Sequence, residues 1–128
     1  MITRKAESMR IRVERHVQFS NCAIKTKTKH QLSGSVVLTQ LPSCLEYLDL
    51  ASNQFTGALD LTRLPSSMCI LYLYSNSFSG TVDLSQLPQK LECLTLSGNG
   101  LSGEVFISDA LFEDIEVGGT KIIKRHME

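Results

Sequence analysis

The sequence predicts a solenoid, a fold in which similar segments of chain stack along one axis. Three patterns recur at a constant 23-residue step: Leu-Pro pairs, asparagines and glycines. They are Leu41-Pro42, Leu64-Pro65 and Leu87-Pro88; Asn53, Asn76 and Asn99; and Gly34, Gly57, Gly80 and Gly103. A fixed period of roughly 20–29 residues with leucine at constant offsets is typical of stacked repeats. Because each repeat contacts only its neighbours, we expect a long ridged surface rather than a deep closed pocket.

Composition indicates one folded domain with an uneven charge. The 128 residues are 42% hydrophobic and 20% charged, which argues against wholesale disorder. The net charge is zero, yet residues 1–30 hold eight Lys and Arg against two Glu, a surplus of +6. Residues 31–111 hold two basic residues against seven acids, which gives −5. We therefore expect the basic leader to be attracted to an acidic repeat body.

The lack of a recognisable targeting signal and the spacing of the cysteines favour a cytoplasmic protein. No apolar run approaches the ~18 residues needed to span a membrane, and residues 1–7 lack the apolar core of a secretory signal. Four cysteines, at positions 22, 44, 69 and 93, are well separated in sequence and form no Cys-x-x-Cys pair. Such thiols fit a reducing compartment better than a disulfide-capped secreted repeat.

The first element, residues 1–31, is predicted to be a basic leader that caps the repeats. Residues 2–19 have apolar positions that suit either a helix or a strand. Lys25 and Lys27 fall one 23-residue step before Leu48 and Leu50, so the expected apolar strand positions are basic. We therefore predict a polar capping strand around Ile24 rather than a regular repeat.

The segment 45–67 illustrates the local structure predicted for one repeat. Leu48 and Leu50 alternate with polar or small residues, which is the period of a strand with one buried face. Asn53 follows in a turn, where its side chain can bond orphaned backbone groups. Gly57 permits a positive φ as the chain leaves that turn. Asp60 is then expected to cap one short helical or 3-10 turn.

The same pattern defines the remaining units. A partial repeat spans residues 32–44, and full repeats span 45–67, 68–90 and 91–111, the last being two residues shorter. Residues 112–123 form a terminal unit in which Thr120 replaces the asparagine, and residues 124–128 are predicted to be a polar tail. The fold class is therefore a β-rich α/β solenoid of three to four repeats behind an N-terminal cap.

The repeat resembles a known family. The pattern L-x-x-L-x-L-x-x-N-x-[FL] at 45–55, 68–78 and 91–101 resembles the leucine-rich repeat, and the resemblance extends over roughly residues 32–123. The second half, F-x-G-x-x-D-L-x-x-L-P, is similar to leucine-rich repeat proteins of trypanosomatid protozoa with 23-residue repeats. The resemblance implies a short curved array, with parallel strands on the concave side and 3-10 turns or loops on the convex side. It also implies protein–protein contact as the usual function, and the chain can be a fragment of a longer array.

The strand residues that alternate with the buried leucines form the predicted binding face. All three tyrosines of the chain are among them, and acids flank them. The predicted partner-binding residues are Tyr47, Asp49, Ile70, Tyr72, Tyr74, Thr95, Asp114 and Glu116. Tyrosine offers an apolar ring and a hydroxyl at small entropic cost, and the acids favour a basic partner. The competing interpretation is that tyrosine simply suits strands and that these rings only stabilise the sheet.

No pattern of catalysis or of cofactor or metal binding appears in the sequence. His16, His30 and His126 lie outside the regular repeats, and no glycine-rich phosphate loop is present. Asp60 and Asp83 occur once per repeat, which favours turn capping over paired acid–base chemistry. We therefore predict no enzyme, no cofactor and no metal.

Three functions remain open at this point. The leading one is a non-catalytic module that binds a protein on its tyrosine-bearing strands. The second is binding of nucleic acid or acidic lipid through residues 4–29, which would weaken as salt is raised. The third is a structural fragment of a longer solenoid that self-associates through its exposed end strands.

Overall fold

A computed structural model of the protein describes residues 8–9, 17–20, 22–26 and 30–127, of which 8–9 and 17–20 are described as backbone only. This part contains twelve strands and one 3-10 helix at Phe112–Asp114. The strands are β1 Ser8–Met9, β2 Val17–Ser20, β3 Ala23–Thr26, β4 Ser33–Val36, β5 Tyr47–Asp49, β6 Gln54–Gly57, β7 Ile70–Tyr72, β8 Ser77–Thr81, β9 Cys93–Thr95, β10 Gly100–Ile107, β11 Ile115–Glu116 and β12 Lys121–His126.

The strands form two six-stranded sheets that share one core. The first sheet has the order β11-β9-β7-β5-β3-β2, and the second has the order β1-β4-β6-β8-β10-β12. Successive rungs therefore place one strand in each sheet, and the described pairs are parallel except for the antiparallel hairpin β2–β3. The predicted β-rich solenoid is confirmed, with almost no helix.

The first sheet stacks the repeats in the register that the sequence predicts. Leu48, Leu71, Leu94 and Ile115 are successive partners, and none exposes more than 1% of its surface. Their alignment along one axis makes the leucine spine of the core, because inward side chains of parallel strands fall directly over one another.

The register expected for the N-terminal strand is wrong by one residue. Ile24 pairs with Leu48 and is fully buried, while Lys25 pairs with Asp49 and is exposed. The spacing between Ile24 and Leu48 is one residue longer than the 23-residue step of the repeats. A slip of one residue turns every side chain to the opposite face, so burying Ile24 decides the register.

The second sheet is a feature that the sequence analysis did not predict. Its strands begin next to each asparagine turn. Paired residues of neighbouring rungs are 21 residues apart in this sheet, as Gly57 is from Phe78 and Gly80 from Leu101, whereas they are 23 apart in the first sheet. Gly57 has the predicted positive φ, at +91°, but ends a strand rather than leaving a turn. Inside this sheet the rings of Phe55 and Phe78 stack with centroids 6.3 Å apart.

The segments that lead from the second sheet back to the first consist of tight turns, as between β6 and β7. At Asp60 the predicted helical turn is wrong: the carboxylate accepts a hydrogen bond from the Thr62 amide at 3.0 Å, which closes a turn two residues long. Pro65 then begins a second turn, since its carbonyl oxygen accepts a bond from the Met68 amide at 3.1 Å. Short polar side chains favour such local bonds over helix.

Each asparagine bridges its own turn to the preceding rung. The Asn76 side-chain amide donates to the carbonyl oxygens of Leu73 at 3.2 Å and of Leu50, one rung earlier, at 3.1 Å. Its side-chain oxygen accepts a hydrogen bond from the Phe55 amide at 3.1 Å. Backbone groups that the turn would otherwise leave unsatisfied are therefore paired inside the core.

The neighbouring rungs repeat this arrangement until the last. Asn99 makes the equivalent bonds, and Asn53 uses the hydroxyl of Thr26 as its acceptor in the preceding rung. Thr120 donates to the Val117 carbonyl and accepts from the Ile122 amide, so both partners lie in its own rung. The prediction that asparagines satisfy the turns rung by rung is confirmed.

The last described strand extends past the predicted limit of the repeats. Strand β12 pairs with β10 as far as His126, within the segment predicted to be a polar tail. Lys124 donates to the carbonyl oxygens of Phe112 at 2.6 Å and Ile115 at 2.9 Å. Among the described residues, no helix has the length and apolarity that crossing a membrane requires.

Candidate functional site

The outward side chains of the first sheet lie together on one surface. The structure places all eight predicted partner-binding residues on β5, β7, β9, β11 or directly beside them. We call this surface the tyrosine face; its residues are Tyr47, Asp49, Ile70, Tyr72, Tyr74, Thr95, Asp114 and Glu116. The geometry brings the set together, whereas its role in binding stays a prediction.

The three tyrosine rings form one connected cluster. The ring of Tyr72 lies 5.8 Å from that of Tyr47 at an interplanar angle of 81°, and 6.0 Å from that of Tyr74 at 62°. Edge-to-face contacts of this kind are worth about 0.5–1.5 kcal/mol each beyond the area they bury. All three side chains are half-buried, so each ring is held by its neighbours and still reaches solvent.

Strand register explains the cluster. Tyr72 pairs with Asp49, which sets its ring diagonally across from Tyr47 on the adjacent strand. Tyr74 lies just beyond β7, where its carbonyl oxygen accepts a hydrogen bond from the Ser52 amide at 2.9 Å. Diagonal neighbours on paired strands lie within reach of aromatic side chains.

Acids surround the rings. Burial raises the pKa of Tyr47, and the negative charge of Asp49 raises it further. On the other side, burial raises the pKa of the Cys93 thiol, as do the charges of Glu116 and Asp114. Both groups are therefore held neutral, because ionising either would place an anion beside existing anions.

Two residues of the face have features of their own. One carboxylate oxygen of Asp49 accepts a hydrogen bond from the Ala51 amide at 3.0 Å, so this acid also holds its own turn. The hydroxyl oxygen of Thr95 is buried and has no hydrogen-bond partner within the part of the chain that the structure describes. Thr95 pairs with Tyr72 and Glu116 on the neighbouring strands, so this unsatisfied group lies between a ring and an acid.

One residue of this surface, Lys25, was not among the predicted partner-binding residues. Lys25 belongs to the same row as Asp49, Tyr72, Thr95 and Glu116, because the correct register turns it outward. The signal was available, since Ile24 is the one residue of 22–28 able to replace Leu48 in the core.

Both histidines in the described part of the chain, His30 and His126, lie at the surface. His126 lies 2.7 Å from Asp109, and its ring stacks on Phe112 at 3.8 Å. His30 is exposed, and His16 lies outside the described residues. Within the described ranges, no three His, Cys, Asp or Glu side chains are grouped as metal ligands. An open depression of about 410 Å³ lies between the loops at Leu87–Leu91 and Ser108–Leu111, lined mainly by apolar side chains.

The alternative anion site falls largely outside the described residues. Among the eight basic residues of the leader, only Lys25 belongs to the described part of the chain. Both the placement of this leader against the acidic body and its binding of anions therefore stay predictions.

Comparison with known proteins identifies the repeat. The family model described as Leucine Rich Repeat matches residues 44–69, which is one full rung of the solenoid. No curated protein and no solved structure matches the chain. The next rung, residues 68–90, repeats the two strands and the Leu-Pro turn of the matched rung. The narrower resemblance to trypanosomatid proteins stays a prediction.

Proposed function

Because this chain is a leucine-rich repeat protein, we propose that it is a non-catalytic module that binds a protein partner on its tyrosine face. Leucine-rich repeats suggest a protein-interaction module, and the face adds a location and a chemistry. The compartment, predicted to be cytoplasmic, stays a prediction.

The observation that carries this proposal is the connected tyrosine cluster. Three rings touch in sequence across two rungs and remain partly open to solvent. An anchor that is already ordered loses little conformational entropy when a partner covers it. Tyrosine is also among the side chains that most often dominate binding energy in interfaces.

The charges indicate what the partner presents. Asp49 lies on one side of the cluster, and Asp114 and Glu116 lie on the other. A partner with Lys or Arg among apolar side chains would meet the acids while covering the rings.

Peptide selection tests the proposal while the partner is unidentified. We expect a displayed random peptide library, panned on the 128-residue chain, to be enriched in sequences combining Lys or Arg with apolar residues. Replacing Tyr47, Tyr72 and Tyr74 together by Ala should weaken the selected peptides by 100-fold or more, about 3 kcal/mol. A matched control replaces three exposed residues of the second sheet, Thr56, Ser79 and Phe106, by Ala.

Two readouts distinguish a binding role from a structural one. Circular dichroism and the urea midpoint show whether the tyrosine variant still folds. Peptides bound equally well by the folded tyrosine variant and the control would refute the proposed face. Peptides that retain affinity for a variant with Asp49, Asp114 and Glu116 changed to Asn or Gln would refute the basic character of the partner.

A further inference from the structure

An open depression lies between the last two turns that return the chain to the first sheet. The amides of Leu91 and Leu111 close these turns on the carbonyl oxygens of Pro88 and Ser108, at 3.2 and 3.1 Å. The earlier proline turns follow one another at 23 residues, whereas Ser108 comes only 20 residues after Pro88. Because the shortened loop covers less of the preceding turn, a space of about 410 Å³ stays open to solvent between them.

The last turn lacks the bridge that joins an earlier turn to its neighbour. In that earlier turn, the hydroxyl of Ser67 donates to the Leu45 carbonyl oxygen of the preceding rung at 2.7 Å. Ala110 holds the same place in the last turn, directly before the residue whose amide closes it, and its methyl group forms no such bond. Ala110 is exposed, and Leu87 and Leu111 are half-buried, so the depression presents apolar side chains to solvent.

The rim of the depression is acidic and continuous with the tyrosine face. Glu92 and Asp114 are the charged residues that line it, and both are exposed. Within the described ranges neither carboxylate has a hydrogen-bond or ion-pair partner, and Lys90, exposed in the neighbouring turn, does not line the depression. Asp114 itself belongs to the tyrosine face, and Glu92 directly precedes Cys93, whose strand partner is Ile70. An apolar floor with unpaired acids at its rim favours an occupant that is both apolar and basic.

The strand register sets the length of a segment that reaches both the rings and the depression. Tyr47, Ile70 and Cys93 are successive partners on β5, β7 and β9. Neighbouring strands lie about 4.8 Å apart, so roughly 10 Å separate Tyr47 from the edge of the depression at β9. An extended chain covers about 3.3 Å per residue, and three to four residues therefore bridge this distance.

We propose that the depression binds an apolar side chain of the same partner segment that covers the tyrosine face, with a Lys or Arg of that segment against Glu92 and Asp114. This inference rests on the proposed function and gives the partner a second anchor. The segment crosses the strands in extended form, so its two anchor residues are three to four positions apart. A volume of about 410 Å³ lies within the range of pockets that hold small ligands, so one large apolar side chain has room there. The spacing of the two anchors then selects among basic partners.

Filling the depression tests the proposal. Ala110→Trp places a large ring there from an exposed position, and Ala58→Trp is the matched control, because Ala58 is an exposed alanine directly after β6. The probe is the tightest peptide selected on the 128-residue chain, labelled with fluorescein. We expect Ala110→Trp to raise its Kd about 10-fold or more, and Ala58→Trp to change it less than about twofold. Urea midpoints establish that both variants are folded.

Substitutions in the probe and at the rim sharpen the result. Replacing each probe residue by Ala should reveal two apolar anchors three to four positions apart. Loss of the anchor that enters the depression should have no further effect on binding to Ala110→Trp, because its site is already filled. Glu92→Gln should weaken the probe about threefold, whereas Glu113→Gln, an exposed acid that does not line the depression, should leave it unchanged.

The outcomes separate this inference from the proposed function. Unchanged affinity in folded Ala110→Trp, together with weakened binding in the triple tyrosine variant, would overturn the inference and leave the proposed function intact. Weakening by Ala110→Trp but not by the tyrosine variant would refute the proposed function and, with it, the shared segment. Dimers of the chain without peptide that Ala110→Trp abolishes would assign the depression to a second copy and would also overturn the proposal.

Discussion

The asparagines are the residues on which the stacking of rungs depends most. Each is nearly buried, with at most 9% of its surface exposed, and each uses both ends of its amide. In a core with little water, a backbone group that loses its partner costs about 1–3 kcal/mol. An asparagine that serves two rungs at once therefore stabilises more than its own turn.

We expect Asn76→Ala to lower the free energy of unfolding by roughly 3 kcal/mol, because it leaves the buried Phe55 amide without its side-chain acceptor and removes one of the two asparagine donors to the Leu50 carbonyl. Urea denaturation at constant pH measures the loss. Ser77→Ala, at the next and exposed position, is the matched control. A loss of less than about 1 kcal/mol for Asn76→Ala would contradict the bridging role.

The turn aspartates make stability depend on acid pH. Hydrogen bonds from the hydroxyl and amide of Thr62 hold the pKa of Asp60 below its ordinary value of 3.8, and those from Ser85 do the same for Asp83. The unfolded chain therefore binds protons more readily at these sites. Their contribution is present above pH 3.8 and is lost as the pH falls through the lower pKa of the folded state.

We expect acid to reduce the stability less when Asp60 and Asp83 cannot titrate. The double variant Asp60→Asn, Asp83→Asn should show a smaller drop in urea midpoint between pH 6 and about pH 3 than the unmodified chain. Asparagine keeps an oxygen acceptor for the turn and removes the titration. Glu113→Gln changes an exposed acid outside these turns and serves as control. Equal drops in all three proteins would show that the turns carry no pH dependence.

At the scale of elements, the second sheet depends on its aromatic stack. Phe55 and Phe78 are fully buried and face each other on β6 and β8. We expect Phe78→Ala to cost about 3–5 kcal/mol, since it removes a buried ring from between two rungs. Phe106→Ala makes the same chemical change on the exposed side of β10 and should cost less than about 1 kcal/mol.

Thermal and urea unfolding of the two phenylalanine variants provide the comparison. Similar losses at both positions would mean that the stack contributes no more than surface packing does. A loss confined to Phe78→Ala would establish that β6 and β8 are held by this contact as well as by their few backbone pairs.

Elements differ in how far the sequence predicts them. The first sheet was predictable because Leu48, Leu71 and Leu94 carry both the strand alternation and the 23-residue step. The second sheet was not, because its strands run through Gly57 and Gly80, residues that disfavour strands by local preference. Tertiary stacking overrides that preference. The N-terminal register failed because one extra residue precedes Leu48, and only the burial of Ile24 reveals it.

The candidate site also has some features that the sequence predicts and others that it does not. The tyrosine face was predictable as a set of positions, since outward residues alternate with leucines. The Tyr47–Tyr72 ring contact and the orphaned Thr95 hydroxyl were not, because they depend on which side chains fall diagonally across rungs. The Lys25 position was lost together with the N-terminal register.

At the scale of the whole molecule, the last described strand is an open edge. Strand β12 has a described neighbour only in β10, and Ile123 and Met127 are each more than 40% exposed. Lys121 and Lys124 lie on the same strand, whereas Arg125 pairs with Glu104 at 2.9 Å. Charged residues on an edge oppose pairing with another copy. Two such edges placed together would repel one another.

We therefore expect the 128-residue chain to be monomeric in low salt and to dimerise weakly as salt rises, because screening removes the repulsion. Sedimentation equilibrium at low and high salt measures the change. Ile123→Ser should suppress the dimer, while Phe106→Ser, an equally exposed apolar residue on the neighbouring strand, should have a smaller effect. Strong association that is insensitive to salt would contradict this view and favour the self-associating fragment.

The asparagine bonds also bear on how such an array can lengthen. Every partner of Asn76 lies at a constant offset, two or three residues back in its own rung and 21 or 26 residues back in the one before, and Asn99 has the same offsets. A duplicated block of one repeat length would inherit donors and acceptors already in position, with no compensating change elsewhere. In-frame duplication or loss of whole blocks is then the easy evolutionary route to relatives of different length. A step of another size needs a substitute partner, as at the first rung, where Ile24 lies 24 residues before Leu48 and Asn53 bonds to the Thr26 hydroxyl.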